Sequence, residues 1–561
     1  MIDKDQVIHL CKRKGKLKAQ RGTWETHWQD IANFVMPNQS DFNMSRSKGD
    51  KRTTLIYDGT GIHANEMLAA GLHGMLTNPA SAWFSLRLKE GDDNLANNIN
   101  VKNWLEETTN SILSELSAPD VAFPSHIHEY YLSLSSIGTA CMFIGEPAQR
   151  EGLSFKAIHI DQVYIAENAD GIVDTVFRSF KMNVRQIVQK WGEESLSPRM
   201  KRMYEKKDLD KDIDLLHCVY PRADAQKGKK AAKMLPVASV YIDEKEKHVI
   251  AEGGFDEMPY MVSRWSKAMG EVFGRSPAMT ALPDIKMLQE IMKTTIKAAQ
   301  KIVDPPLLVP DDGILGPVRT IPGGLNYYRA SQGARIEPLL TGGNIGISYE
   351  MMQDLRERIR TTFFLDQLQF QGAPRMTATE VIERTERTLR LLGPTLGRLQ
   401  SEFLGPMIER IYGVLLRAGR LPEAPEEMSE RELKIEYVSP LARAQRQTET
   451  QGIMRTLEFV GPIAGMDPQA AQIVRGADMV RHIAELNGVP PMLLKSDEDM
   501  QQEAQAQQEA MAAQEQMMQG AQVMDMIQKG ANVAKTAQEA GLGESIEAPQ
   551  AVQEMLNLVQ G

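Results

Sequence analysis

Cysteine is scarce. Cys11, Cys141 and Cys218 are odd in number and widely spaced, and no Cys-x-x-Cys pair offers a metal knuckle or a redox motif. Reduced thiols in a cytoplasm are the simplest state for such a set. Catalytic signatures are missing as well: there is no Gly-x-x-x-x-Gly-Lys-Ser/Thr loop, no His-Glu-x-x-His and no Gly-x-Ser-x-Gly, which argues against a nucleotide-driven motor and leaves no constellation that would make the chain an enzyme. His126, His128 and Glu129 are metal-ligating types, but on an amphipathic helix they read as surface or interface residues, so no metal and no cofactor is expected. No segment has the long apolar run that a membrane span requires. The basic residues of the first twenty, Lys4, Lys12, Arg13, Lys14, Lys16 and Lys18, have no apolar stretch behind them, so a secretory signal is not supported.

Positive charge is also in deficit. The net charge of −10 is incompatible with a surface that grips DNA phosphates everywhere, so any nucleic-acid contact must be local. What is present is ordinary for a folded protein: 42% hydrophobic and 25% charged residues are too apolar for disorder, and 561 residues allow several modules.

Along the chain, Trp24, Trp28, Ile31, Phe34 and Val35 recur at helical spacing until Pro37. After a polar loop comes Tyr57-Asp58-Gly59-Thr60-Gly61, then a helix from Ile62 to Leu76 stopped by Asn78-Pro79 and a short strand at Trp83 to Leu86. Helical periodicity returns at 101–117 and 124–137, and Phe155 to Ile160 and Val173 to Phe180 alternate as strands. A lysine-rich patch, Lys227 to Lys233, reads as a solvated hairpin tip. From Leu282 the residues Leu282, Ile285, Leu288, Met292, Ile296 and Ala299 mark one helical face, with Pro283 placed in a first turn and Asp304-Pro305-Pro306 as the stop. Tyr349, Met352, Leu355, Ile359 and Phe363 mark a second run to about Phe370. At 1.5 Å per residue each is ~30 Å long, which suits an antiparallel pair.

The Gly- and Pro-rich stretch between them, 304–348, is too long for a bare connection and should be a small module, with strands at Leu307 to Val309, Leu325 to Tyr328 and Arg335 to Leu340. Thr377-Ala378-Thr379-Glu380 has capping-box spacing. The helix it starts carries Val381, Leu389, Leu392, Leu396, Leu399, Phe403, Met407, Ile411 and Leu415, and Gly393-Pro394 should kink it. Leu433 to Val438 alternates as a strand. From about Leu441 the chain reads as helical, with a tail rich in Gln, Ala, Met and Glu that needs a neighbour to pack against.

The order of these segments resembles the portal, or head-to-tail connector, family of short-tailed bacteriophages from about residue 20 to about 500. The residues that carry it are Trp24 and Trp28 with Pro37; Tyr57-Asp58-Gly59-Thr60; Leu68-Ala69-Ala70-Gly71-Leu72 through Leu76-Thr77-Asn78-Pro79 to Trp83-Phe84; Gly274-Arg275-Ser276-Pro277; and Leu282-Pro283-Asp284-Ile285-Lys286. Farther on stand Met376-Thr377-Ala378-Thr379-Glu380-Val381, Leu392-Gly393-Pro394 with Arg398-Leu399-Gln400, and Ser439-Pro440-Leu441-Ala442. The chain departs from the pattern at Gly59, where Ser is expected.

The resemblance implies an α+β, mainly helical portal fold: a mixed wing over 1–275, a first stem helix over 276–304, a clip over 305–348 and a second stem helix over 349–370. It further implies a tunnel loop of Gln371, Gly372, Ala373, Pro374, Arg375 and Met376, a long wing helix and strand over 377–440, and a helical crown over 441–561. It also implies a dodecameric homo-oligomeric ring at the capsid vertex, a conduit for genome packaging and ejection and an attachment point for the tail. The implied partners are the terminase, the major capsid protein and scaffold, tail adaptors and passing double-stranded DNA, with no membrane; the implied place is the virion, after assembly in the host cytoplasm. The rival readings are a non-portal virion adaptor or scaffold and, from a different class, a nucleic-acid motor or nuclease.

A duplex carries one negative charge per roughly 1.7 Å, so a strongly basic channel would hold DNA instead of letting it slide. Acidic walls with local basic rings satisfy both needs. Lys286, Lys293, Lys297 and Lys301, seven, four and four residues apart beside the apolar stripe, are candidates for such rings, as is Arg375. A solvated face, or one paired with acids of the next copy, including Glu290 on the same stripe, explains the same lysines equally well.

Overall fold

Asp3 caps the first helix: its carboxylate accepts from Lys4 N, and Gln6 reaches back to the Asp3 N–H in a capping box that opens α1 (Lys4–Phe34). Periodicity marks only the second half because α1 serves two cores. Val7 and Leu10 face one cluster, whereas Trp28 and Ile31 enter the largest one, so no single stripe runs its length. Between them Arg21 is buried and donates to the carbonyls of Ile160, Asp161 and Val163 at 2.8–2.9 Å.

The computed structural model describes residues 2–39, 41–44, 49–88, 98–146, 152–222, 234–308, 317, 337–338, 345–368, 391–425, 433–437 and scattered helical positions between 450 and 529. By contacts the chain divides into two units, Met1–Val474 and Arg475–Gly561. The described positions of the second unit are helical, and every strand among the described residues belongs to the first.

Helix α2 (Thr60–Leu76) leads to strand β1 (Phe84–Leu88), then to α3 (Ile99–Ser117) and α4 (Phe123–Ile137). β2 (Thr139–Gly145) is the middle strand of a three-stranded antiparallel sheet with β3 (Ser154–Ile158) on one side. A five-stranded antiparallel meander follows in sequence order: β4 (Val163–Glu167), β5 (Val173–Asn183), β6 (Asp212–Pro221), β7 (Val237–Asp243) and β8 (His248–Phe255). Helices α5 (Val184–Trp191) and α6 (Pro198–Glu205), inserted after β5, supply Val184, Ile187 and Met200 to a core with Ile213 and Leu215. β6 and β7 pair from Pro221 opposite Val237, so they flank the lysine-rich patch as expected, while 223–233 lie outside the described residues. β9 (Tyr260–Arg264) closes the three-stranded sheet on the other side of β2.

Two close approaches explain the Gly274-Arg275-Ser276-Pro277 motif. Gly138 has φ +83°, and a Cβ there would meet Gly274 O at 2.5 Å; one on Gly274 would meet Gly138 O at 2.2 Å, so neither position admits a side chain. Ser276 then caps α7 (Pro277–Val303), accepting from Met279 N at 3.1 Å. The helix thus starts one and a half turns before Leu282, where the apolar stripe begins, with Pro277 in its first turn and Pro283 inside it, not in the first turn as the stripe suggests. The Ser-Pro pair is the stronger start signal.

A two-residue ladder, β10 (Leu307–Leu308) with β11 (Glu337–Pro338), lies beyond α7 and falls within two of the expected strands. Leu325 to Tyr328 lie outside the described residues. α8 (Ile345–Thr362) returns antiparallel to α7, and the expected single run to Phe370 breaks at Phe364, which has φ +59°, before a short α9 (Leu365–Leu368). Tyr349, which spacing puts on the apolar face, is 58% exposed.

From 391 the chain is helical through Gly393-Pro394, and the irregularity falls later, as a π turn at Gln400–Leu404 ahead of α10 (Gly405–Arg417). Gly405 N donates five residues back, to Gln400 O. Pro406 has no N–H to offer the fourth residue before it, and a wider turn accommodates that loss. β12 (Leu433–Tyr437) pairs antiparallel with β1, Leu86 opposite Ile435. The described elements are mainly helical with small antiparallel sheets, an α+β fold.

Candidate functional site

The site is the antiparallel pair α7 and α8. Ile285 and Leu288 from α7, Met352, Leu355 and Ile359 from α8, and Phe363 just after it are buried in one core. Burial ends partway along: Leu288 is 1% exposed, Ile296 40% and Val303 86%. The outer turns of both helices therefore carry their side chains into the open.

The four lysines divide into two kinds. Lys286 Nζ lies 2.6 Å from Asp30 of α1 and over the ring of Phe34, and Lys293 is 3.2 Å from Glu290 on its own helix. Lys297 and Lys301 are exposed and have no partner among the described residues. Arg375 and the rest of the loop Gln371 to Met376 lie outside the described residues, as does the capping box at 377–380.

The Tyr57-Asp58 motif, whose role the sequence did not reveal, clamps both helices. Gln289 Oε1 of α7 accepts from Tyr57 N at 2.7 Å and Asp58 N at 2.9 Å, while its Nε2 donates to Asp58 O at 2.7 Å. Arg356 of α8 donates Nε and Nη2 to Asp58 Oδ2 at 2.9 and 2.8 Å. The other oxygen, Oδ1, accepts from Thr60 N at 2.8 Å and so performs the capping that Gly59 cannot, since Gly59 offers α2 no side-chain hydrogen bond. Burial pushes the Asp58 carboxyl up, but the hydrogen bonds from Thr60 and Arg356 outweigh it and hold the group below the usual carboxylate range. Two polar residues beside apolar stripes, Gln289 next to Leu288 and Arg356 next to Leu355, were the available signal.

Two further cations carry no mark in the sequence. Arg264, 2% exposed at its side chain, grips Glu402 of the π turn through Nε at 3.1 Å and Nη2 at 2.6 Å and also pairs with Glu167, which Lys267 holds at 2.6 Å. Arg410 is fully buried between Glu257 at 2.7 Å and Glu146 at 2.9 Å. Both join α10 and its π turn to the sheets.

The expected histidines do not converge. His126 Nδ1 is 3.3 Å from Glu129, but the His128 ring stands by His73 of α2, 6.4 Å between centroids. Among the described residues no three metal-ligating side chains gather. Burial pushes the thiol of Cys141 up to about 12 and that of Cys218 upward too, so neither supplies a thiolate near neutral pH. No helix among the described residues is long and apolar enough to cross a membrane.

Residues 9–494 match the family described as bacteriophage head to tail connecting protein. The chain is 30% identical over 533 residues to a probable portal protein of Bordetella phage BPP-1, covering 90% of this chain and 93% of that one. It is 31% identical over 501 residues to the portal protein of Salmonella phage epsilon15, covering 88% and 89%. The portal protein of Enterobacteria phage T3 is 22% identical over 74% of this chain and 76% of its own.

Proposed function

The chain belongs to the family of bacteriophage head to tail connecting proteins, and from that premise we propose how its parts divide the work of a portal. The portal function is to form the ring at the capsid vertex, to conduct the genome during packaging and ejection, and to give the tail its attachment. The observation that carries it is the match of nearly the whole chain to portal proteins at about 30% identity. The protein is an oligomeric component of the virion, and portal proteins are structural parts of the particle.

In our reading α7 and α8 form the stem, the insert between them the clip, and residues 371–376 the tunnel loop. The elements before α7 form the wing together with the long helix after the loop, and the residues after 440 form the crown. Twelve copies make the ring. The terminase meets it during packaging in the host cytoplasm, the major capsid protein and scaffold meet it around the vertex, and tail adaptors meet it afterwards. Its own turnover of nucleotide is nil.

Double-stranded DNA passes along the stem. Lys286 and Lys293 are each paired within their own subunit, which leaves Lys297 and Lys301 as the cations offered to phosphate, with Arg375 of the loop as a further candidate. Two lysines per copy on an acidic protein centre a duplex without holding it. The test is to shorten the loop 371–376 in the full-length chain: rings should assemble, while packaging or retention of DNA in particles falls. Normal packaging and infectivity with the shortened loop would remove the loop's role, and ATP turnover by the purified ring would contradict a purely structural part.

A further inference from the structure

The outer turns of α7 and α8 carry charges that their own chain does not use. On α8 the buried side is Met352, Leu355 and Ile359; Glu350 and Glu357, seven residues apart, fall on the side opposite and are exposed, with no partner among the described residues. They point away from α7 of the same chain. On α7, Lys297 and Lys301 are likewise exposed and lie off the buried stripe of Ile285 and Leu288.

Resting on the portal reading above, we infer that these two faces meet between copies, the acidic back of α8 in one subunit seating the lysine-bearing side of α7 in the next. A ring built by rotation requires two different, complementary surfaces on each copy, and these supply opposite charge. Their levels agree. Gln289 of α7 and Arg356 of α8 both reach Asp58, which sets those two residues at one level. At 1.5 Å per residue, Lys297 and Lys301 stand ~12 and ~18 Å beyond that level and Glu350 ~9 Å beyond it.

Apolar side chains accompany the charges, with Met287 and Ile302 on α7 and Ile347 and Met351 on α8 all about half exposed. Exposed apolar groups gathered on two adjacent helices are the mark of a contact surface. The consequence for passage is direct: a lysine shared with a carboxylate of the neighbouring copy shows a duplex only part of its charge, which favours sliding over binding.

Charge reversal and its repair test this in the full-length chain. Ring fraction is measured by mass photometry at low and moderate salt for the unchanged protein, Lys297→Glu, Glu350→Lys and the two combined, with circular dichroism reporting the fold of each. The expected result is a several-fold loss of rings in either single variant with folding intact, recovery in the combined variant, and weakening of the unchanged ring by salt. Single variants that assemble as the unchanged chain does, a combined variant no better than the singles, or a single reversal that does not fold would each overturn the inference. An unchanged chain that forms no ring at any salt would instead remove the portal reading, and that is seen before any variant is compared.

Discussion

Arg264 and Lys297 are both cations of this fold, and they are treated in opposite ways. Arg264 is enclosed, its guanidinium engaged by Glu402, Glu167 and the Gly171 carbonyl, and Arg410 repeats the pattern between Glu146 and Glu257. Lys297 stands in the open on a helix whose first half is buried and whose second half is not. A buried cation surrounded by carboxylates cannot be offered to anything else, because taking a partner away leaves charge stranded in a poorly solvated place. A cation left open costs the fold nothing and remains available to phosphate or to another copy. Depth along α7 thus separates residues that hold the subunit together from residues that can act outside it.

The sharpest way to break that distinction is at Leu288, 1% exposed on α7. Leu288→Asp places an unpaired charge in the shared core of α7 and α8, and we expect failed folding or failed assembly. Ile302→Asp, at 53% exposure on the same helix, should leave the fold of the subunit intact. Circular dichroism and denaturant unfolding of both variants make the comparison, and an equal loss of fold in the two would erase it.

Arg264→Ala comes next. It strips Glu402 of its nearest cation, leaving only Arg398 at 3.9 Å among the described residues, and should cost about 3–5 kcal/mol in denaturant unfolding. A loss no larger than that of a surface substitution would mean that water reaches this cluster freely.

The range of each interaction decides how much of the fold is legible in the sequence. The helices of the pair, α3 and α4, and the alternation of β5 were legible, because a stripe or an alternation is written within a dozen residues. The pairing of β1 with β12 was not, since its partners lie some 350 residues apart and neither carries a mark of the other. α1 was half legible because its two halves bury toward different cores. The break at Phe364 was hidden for another reason: Phe363 and Phe364 continue the apolar stripe, while a left-handed backbone at Phe364 departs from it. At the site, spacing found the four lysines and Glu290 on their stripe, but not that Asp30 pairs with Lys286 or that Glu290 pairs with Lys293 of its own helix. The partners of Asp58, Gln289 and Arg356, could be suspected only as polar residues beside apolar stripes.

Asp58→Asn sharpens the comparison at an intermediate depth. It should cost about 1–3 kcal/mol at neutral pH by loosening Arg356 and the cap of α2. The folded Asp58 carboxyl titrates below its unfolded value, so its stabilisation is present above the unfolded pKa and is lost as pH falls through the lower, folded one. The gap between variant and unchanged protein in urea unfolding should therefore close below about pH 4. A gap that stays constant with pH would show that the carboxylate charge is not what Arg356 holds.

The smallest effect is expected at Gly59. A Cβ there meets nothing within 4 Å, and the capping is already done by Asp58. Gly59→Ser should therefore raise stability by no more than about 0.5 kcal/mol. A large gain in melting temperature would mean that Asp58 caps α2 poorly.

Single-particle electron microscopy of the purified full-length chain shows whether its copies close into a ring. Rings with an open central channel, walled by the α7 and α8 pairs of successive copies, are the expected particles. Particles that stay monomeric at assembly concentrations, or that close without a channel, would contradict the portal reading.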